Sequence, residues 1–182
     1  MSSTTKFMAL CLIIAALVSS ELMSAASALT TPMTEEQIGR IRVSCLSAKS
    51  SLNRLHATDA LLRVNRGQIY ESMSTKLMTQ FNSRVTRNHF DAKDLTSVTE
   101  SYGAALTDFR ADYMKYEVQL ANTLNIDCSK EPVSFYDAVA VARINRAQVH
   151  ADVVKLHQSI DDYSAAFNTF STTFDKINGV KQ

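Results

Sequence analysis

The C-terminal part of the chain carries a regular apolar pattern. From Phe135 to Ile177, apolar residues recur at alternating steps of four and three, and Arg146 is the one polar residue in that frame. A period of 3.5 residues sustained over this length keeps one stripe of a helix against a partner. The pattern predicts a long helix over 134–178 with this inward stripe: Phe135, Val139, Ala142, Arg146, Val149, Val153, Leu156, Ile160, Tyr163, Phe167, Phe170, Phe174, Ile177.

Two earlier segments, 34–86 and 92–124, carry the same pattern. The first stripe is Ile38, Ile41, Cys45, Ala48, Leu52, Leu55, Asp59, Leu62, Arg66, Ile69, Met73. After Met73 it slips by one residue to Leu77, Phe81 and Val85, and such a slip changes a supercoil locally. The second stripe is Leu95, Val98, Tyr102, Leu106, Phe109, Tyr113, Tyr116, Leu120, Leu124.

Capping residues and turns divide the three helices. Thr34 with Gln37 forms a capping-box pattern, Asp91 and Ser134 are predicted N-caps, and Gly179 is a predicted C-terminal stop. Residues 88–91 and 125–133 are predicted connections. The sequence therefore predicts an all-α fold, an up-down-up three-helix antiparallel coiled-coil bundle, with a flexible lead at 29–33 and a tail at 179–182.

The N-terminus is typical of a signal peptide. Residues 7–18 form an apolar run that is too short to span a bilayer, and Ala26-Ser27-Ala28 offers a cleavage site of small residues. We expect cleavage after Ala28, which removes Cys11 and leaves no membrane-inserted segment. An uncleaved signal anchor is the alternative. Export would place the protein in the periplasm, outside the cell or on its surface.

Cleavage leaves two cysteines, Cys45 and Cys128. An even number of cysteines in an exported chain indicates a disulfide, and two buried free thiols are the alternative.

The predicted stripes contain polar residues at matching heights. Asp59 and Arg146 should lie level with each other, with Tyr113 or Tyr116 adding a hydroxyl, and Arg66 should lie one or two turns higher, near Asp152 and His150. A buried polar layer of this kind often fixes the register of a bundle. The alternatives are a site for a small polar ligand, a response to pH, or side chains that face water.

A second apolar stripe is predicted on the outer face of the last helix. It consists of Ala140, Ile144, Ala147, Ala151 and Val154, and Leu61 and Val64 lie at the matching height of the first helix. Such a stripe suits a dimer seam or a contact with another exported protein. Scattered surface residues are the alternative.

Composition and motifs exclude several function classes. The net charge of +1, with both signs mixed, argues against a nucleic-acid surface. The sequence lacks a nucleophile elbow, a phosphate loop, a dinucleotide fingerprint and a Glu-x-x-His pair, so we expect neither an enzyme nor a cofactor or metal site.

The run 52–65 (LNRLHATDALLRVN), with Ile126-Asp127-Cys128 and Phe135-Tyr136-Asp137, resembles a group of short exported helical proteins from small-genome candidate-phylum bacteria. The resemblance implies a bacterial exported protein and adds no site residue.

These observations favour a non-catalytic binding or scaffold module that acts through its helix faces. An extracytoplasmic small-ligand-binding or sensor-type bundle is the second interpretation, and a pocket at the Asp59–Arg146 layer would favour it. A secreted inhibitor similar to the helical-bundle inhibitors of plant cell-wall enzymes is the third, although the cysteines of their N-terminal hairpin are missing.

Overall fold

A computed structural model describes residues 32–179, and the fold in this range is all-helical. The first helical segment consists of α1 (Glu35–Ser72), a π-helical turn (Met73–Met78) and α2 (Thr79–Arg87). The second is α3 (Lys93–Asn125), and the third is α4 (Pro132–Ile177). The predicted signal peptide and residues 180–182 of the predicted tail lie outside the described residues.

The first connection is a tight turn after α2. His89 takes a left-handed backbone conformation with φ of 61°. Ala92, rather than Asp91, is the N-cap residue of α3, which corrects the predicted cap by one position. Asp91 still stabilises the N-terminal end of α3, because its Oδ1 accepts a hydrogen bond from the backbone N–H of Lys93 at 2.9 Å.

The last helix begins two residues before its predicted start. Pro132 is in the first turn of α4 and Glu131 is the N-cap, so Ser134 lies inside the helix. Proline suits this place because its fixed φ is already helical and its missing N–H would have no partner there. At the other end, Gly179 takes a positive φ of 68°, which glycine adopts without strain.

The π-helical turn falls where the apolar stripe slips. Leu77, the predicted inward residue, is 53% exposed, whereas Met78 is fully buried. A π turn adds one residue to a helical turn, and Met78 lies five positions after Met73. The predicted slip is therefore correct in place, but the inward position is Met78. One turn earlier, Tyr70 rather than Ile69 is buried.

Residues further along α1 and α2 contact residues nearer the start of α3. Hydrogen bonds join His56 to Glu117, Asp59 to Tyr116, Tyr70 to Tyr102 and Asn82 to Leu95. The same reversal holds between α3 and α4, where Thr123 donates to the carbonyl of Ala138 and Lys155 donates to Asp108.

The buried core consists of three clusters along the helices. The largest contains Tyr70, Met78, Val85, Ala92, Leu95, Tyr102, Ala105, Leu106, Phe109, Leu156 and Tyr163. The second contains Tyr113, Tyr116, Leu120 and Ala142, and the third contains Cys45, Cys128 and Phe135. Rings of Phe81, Phe90, Phe167, Phe170 and Phe174 extend the first cluster.

The helix α1 stands further from its neighbours than they stand from each other. Many Cα atoms of α3 and α4 lie within 8 Å of one another, but in the described chain no Cα atom of α1 comes that close to α3 or α4. Residues 61–66 are all exposed. Long side chains therefore hold α1 in place, and they leave space beneath it.

Candidate functional site

Cys45 and Cys128 form a disulfide at one end of the bundle. Their Cα atoms are 5.6 Å apart, which is the usual spacing of a bridged pair. Phe135 completes the buried cluster around the sulfur atoms. Nearby, Lys49 donates from Nζ to the carbonyl of Ile126 at 2.9 Å, so the N-terminal half of α1 is tied to the loop before α4.

Asp59 is the centre of a polar cluster that joins all three helical segments. Arg146 binds its carboxylate with two hydrogen bonds, from Nε to Oδ2 at 2.7 Å and from Nη2 to Oδ1 at 3.2 Å. The hydroxyl of Tyr116 donates to Oδ2 at 2.8 Å. Burial alone would raise the pKa of Asp59, but the hydrogen bonds from Arg146 and Tyr116 outweigh it and lower that pKa below its ordinary value.

Three details of the predicted buried layer are wrong. The side chain of Asp59 is 11% exposed, but that of Arg146 is 51% exposed, because its guanidinium reaches Asp59 from the edge of α4. Arg66 is exposed, since α1 stands off at its height. Asp152, predicted beside Arg66, is buried near the carboxylates of Asp112 and Asp108 on α3 instead.

Tyr113 does not join the Asp59 cluster. Its hydroxyl is buried and has no hydrogen-bond partner in the described part of the chain. Burial raises the pKa of Tyr113, and the nearby carboxylate of Glu117 raises it further. The guanidinium of Arg63 lies 5.1 Å from the centre of the Tyr113 ring, a cation–π distance.

A second polar contact between α1 and α3 lies one turn from Asp59 and was not predicted. His56 donates from Nε2 to Oε1 of Glu117 at 2.5 Å. Burial alone would raise the pKa of Glu117, but Tyr113 and His56 lower it below its ordinary value. Glu117 directly follows Tyr116, which belongs to the apolar stripe of this helix. That adjacency is the sequence signal that could have placed Glu117 close to Asp59.

A cleft of about 450 Å³ opens between α1 and the paired helices α3 and α4. The volume lies in the range of small-molecule sites. The cleft lies at the height predicted for the polar layer, and its lining combines aromatic and branched apolar side chains with cationic groups. The lining residues are Asp59, Leu62, Arg63, Arg66, Phe109, Tyr113, Tyr116, Arg146, Val149, His150, Val153, Val154 and His157.

A polar contact lies at each of the two ends of the cleft. At one end lies the Asp59 cluster. At the other, the hydroxyl of Tyr70 and Nε2 of His157 share a hydrogen bond at 3.0 Å, and the Tyr70 ring packs edge-on against Phe109. The cleft is therefore held open by contacts on either side of it, because α1 is pinned at Asp59 and again at Tyr70.

The predicted outer stripe of α4 faces solvent. Ile144 is 69% exposed, Val154 is exposed, and Ala140, Ala147 and Ala151 are exposed with them. Leu61 and Val64 of α1 are exposed as well, and Val154 also lines the cleft. The stripe thus forms an apolar strip on the outer side of one helix.

Neither a metal cluster nor a membrane span is found in residues 32–179. No group of three or more His, Cys, Asp or Glu side chains in this range could hold a metal ion. None of the helices described here is both long and apolar enough to cross a bilayer.

Comparison of the chain with models of protein families, with curated proteins and with solved structures finds no match.

Proposed function

We propose that this chain is an exported, non-catalytic bundle, with its three helices running up, down and up, that binds a small molecule in the cleft beneath α1. The observation that carries the proposal is the cleft itself, which lies at the layer of polar residues inside the stripes. A register-fixing salt bridge needs only the Asp59–Arg146 contact. It gives no reason for a lined space of about 450 Å³ beside that contact.

The lining supports reversible binding. Phe109, Val149 and Val153 offer an apolar floor, and polar groups at both ends can orient a ligand, which is the usual composition of small-molecule sites. Asp59 is fully engaged by Arg146 and Tyr116, so its carboxylate is committed to holding the wall of the cleft.

Export is supported by two features. Residues 1–28 have the pattern of a signal peptide, and a disulfide such as Cys45–Cys128 persists in an oxidising compartment. The N-terminal sequence of the protein recovered from its native source should begin at Leu29.

A second candidate function is protein binding through the outer stripe of α4. The exposure of Ile144 and Val154 favours it, since an apolar strip of this kind suits a second helix. A lower mass by light scattering for Ile144→Glu than for the unaltered protein would favour self-association through this face.

The cleft can be tested with phenylnaphthylamine, an uncharged probe that fluoresces in apolar sites. We expect one probe to bind per chain. Val153→Trp, which fills the cleft, should abolish binding, whereas Val118→Trp, at an exposed position of α3 outside the cleft, should not. Circular dichroism should show that both variants are folded. Equal binding by Val153→Trp and the unaltered protein would overturn the proposal.

A further inference from the structure

The cleft has an excess of positive charge. Its lining contains one carboxylate, that of Asp59, and three guanidinium groups, those of Arg63, Arg66 and Arg146. Asp59 and Arg146 neutralise each other through two hydrogen bonds. Two cationic side chains therefore remain without an acidic partner in the lining.

These two arginines differ in what they already contact. Arg63 lies over the ring of Tyr113, and the carboxylate of Glu117 lies near it. Arg66 makes no hydrogen bond or ion pair with any residue in 32–179, and its side chain is exposed at the cleft. A guanidinium presents a planar fork of donors that matches a carboxylate or sulfonate. Arg66 is thus the cation of the cleft with all its donors available.

The rest of the lining is suited to an apolar body. Phe109 and Tyr113 present aromatic rings, and Leu62, Val149 and Val153 add branched apolar groups. His150 and His157 also line the cleft and bring no negative charge to it. A fully polar anion would gain little from this floor, and a neutral apolar molecule would leave Arg66 unused.

We propose that the cleft takes an organic anion with an aromatic or aliphatic body, whose acidic group binds Arg66 and whose body lies on Phe109 and Val153. This inference rests on the proposed binding function and specifies the chemical class of the ligand. The Asp59–Arg146–Tyr116 cluster then acts as a positioning group, because it holds α1 at the spacing that keeps the cleft open.

A matched pair of probes tests the inference. Anilinonaphthalene sulfonate and phenylnaphthylamine share an apolar body and differ by the sulfonate group. We expect the sulfonate to bind at one site per chain and at least about tenfold more tightly than the neutral probe, since a charge-assisted hydrogen bond is worth that much. Arg66→Gln should remove the difference in affinity between the two probes.

Two further variants separate a site from a general effect of charge. Arg54→Gln removes the same charge from an exposed position of α1 outside the cleft and should leave sulfonate binding unchanged. Arg66→Lys keeps the charge but loses the fork, so its sulfonate affinity should fall between those of Arg66→Gln and the unaltered protein. An equal loss in Arg54→Gln and Arg66→Gln would overturn the inference.

The outcome for the neutral probe distinguishes this inference from the proposed function. If both probes bind equally and Val153→Trp abolishes both, the cleft is a ligand site without a preference for anions, and the inference alone is overturned. If neither probe binds, or Val153→Trp changes neither, the inference and the proposed function are overturned together.

Discussion

Asp152 is a buried carboxylate whose surroundings disfavour its charge. It is 4% exposed, Gln148 donates to its Oδ1 at 3.1 Å, and its Oδ2 has no partner among the described residues. Burial raises the pKa of Asp152 above its ordinary value, and the carboxylates of Asp112 and Asp108 raise it further, although the hydrogen bond from Gln148 and the charge of Lys155 oppose the shift. The ionised form therefore weakens the packing of α4 against α3.

Asp152→Asn should stabilise the protein at neutral pH. Because the folded-state pKa is raised, the folded protein binds this proton more tightly than the unfolded chain does, and stability falls as the pH rises from the ordinary value through the raised one. The variant avoids that loss and adds an amide donor facing acidic neighbours, so its free energy of unfolding should rise by about 1 kcal/mol at pH 7. The gain should shrink as the pH falls from the raised pKa of Asp152 towards its ordinary value of about 4, below which the side chain is neutral in both the folded and the unfolded protein. Urea unfolding across this pH range measures both effects.

Asp161→Asn provides the control, since Asp161 is exposed on the same helix. It should change stability little at any pH in the series. A destabilised Asp152→Asn at pH 7 would show that the ionised carboxylate has a favourable partner after all.

Polar residues of the site were predictable where they interrupted an apolar stripe. Asp59 and Arg146 stood out because each is a charged residue inside an apolar stripe, and the structure brings them together. Asp152 and Glu117 lie beside the stripes, where a polar residue is ordinary, so the sequence gives no reason to expect them inside. Their burial depends on how closely two helices approach, and a single sequence does not contain that distance.

At the scale of elements, the π-helical turn sets how α1 faces the other helices. One extra residue in a helical turn rotates everything on one side of it by about 100° relative to the other side. Asp59 and Tyr70 lie before the turn, and Asn82 and Val85 lie after it. All four make inward contacts, so the inserted residue allows both halves to face the bundle.

Deletion of Lys76 should therefore be far more harmful than its replacement. Lys76 is exposed within the π-helical turn, and the deletion would leave a continuous α-helix that turns Tyr70 away from the core. Loss of a buried aromatic side chain costs about 3 kcal/mol or more. The thermal midpoint and the urea midpoint should both fall sharply.

Lys76→Ala is the matched control, because it removes the same side chain and keeps the residue count. It should stay within about 0.5 kcal/mol of the unaltered protein, as surface substitutions do. A deletion variant as stable as this control would mean that the helix can absorb the missing residue elsewhere, and the assigned role of the turn would be wrong.

The helices were predictable because their periodicity is long and regular, and the slip after Met73 located the π-helical turn. The sequence did not predict which residue the slip places in the core. Leu77 and Met78 are both apolar neighbours, and only the turn geometry decides that Met78 is buried. The cleft was not predicted for a related reason. Leu62 and Arg66 continue the apolar stripe in the sequence, but both are exposed because α1 lies further from the other helices at this height.

At the scale of the whole molecule, α1 depends on a few separate attachments. The disulfide and Lys49 hold its N-terminal half, the Asp59 cluster holds its middle, and Tyr70 holds its C-terminal end. The pair α3 and α4, by contrast, packs closely along its length. Stability should therefore be uneven, with α1 the first part to open.

The double variant Cys45→Ser, Cys128→Ser tests this uneven stability. The disulfide joins residues separated by 83 positions, and closing such a loop is worth about 4 kcal/mol in the chain-entropy model. We expect a loss of that size, and we expect hydrogen exchange to show it first in residues 36–60 while α3 and α4 keep their protection. Because α1 forms one wall of the cleft, binding of phenylnaphthylamine should weaken in parallel. The unaltered protein under reducing conditions should behave in the same way, whereas a uniform loss of protection over all helices would show that the bundle opens as one unit.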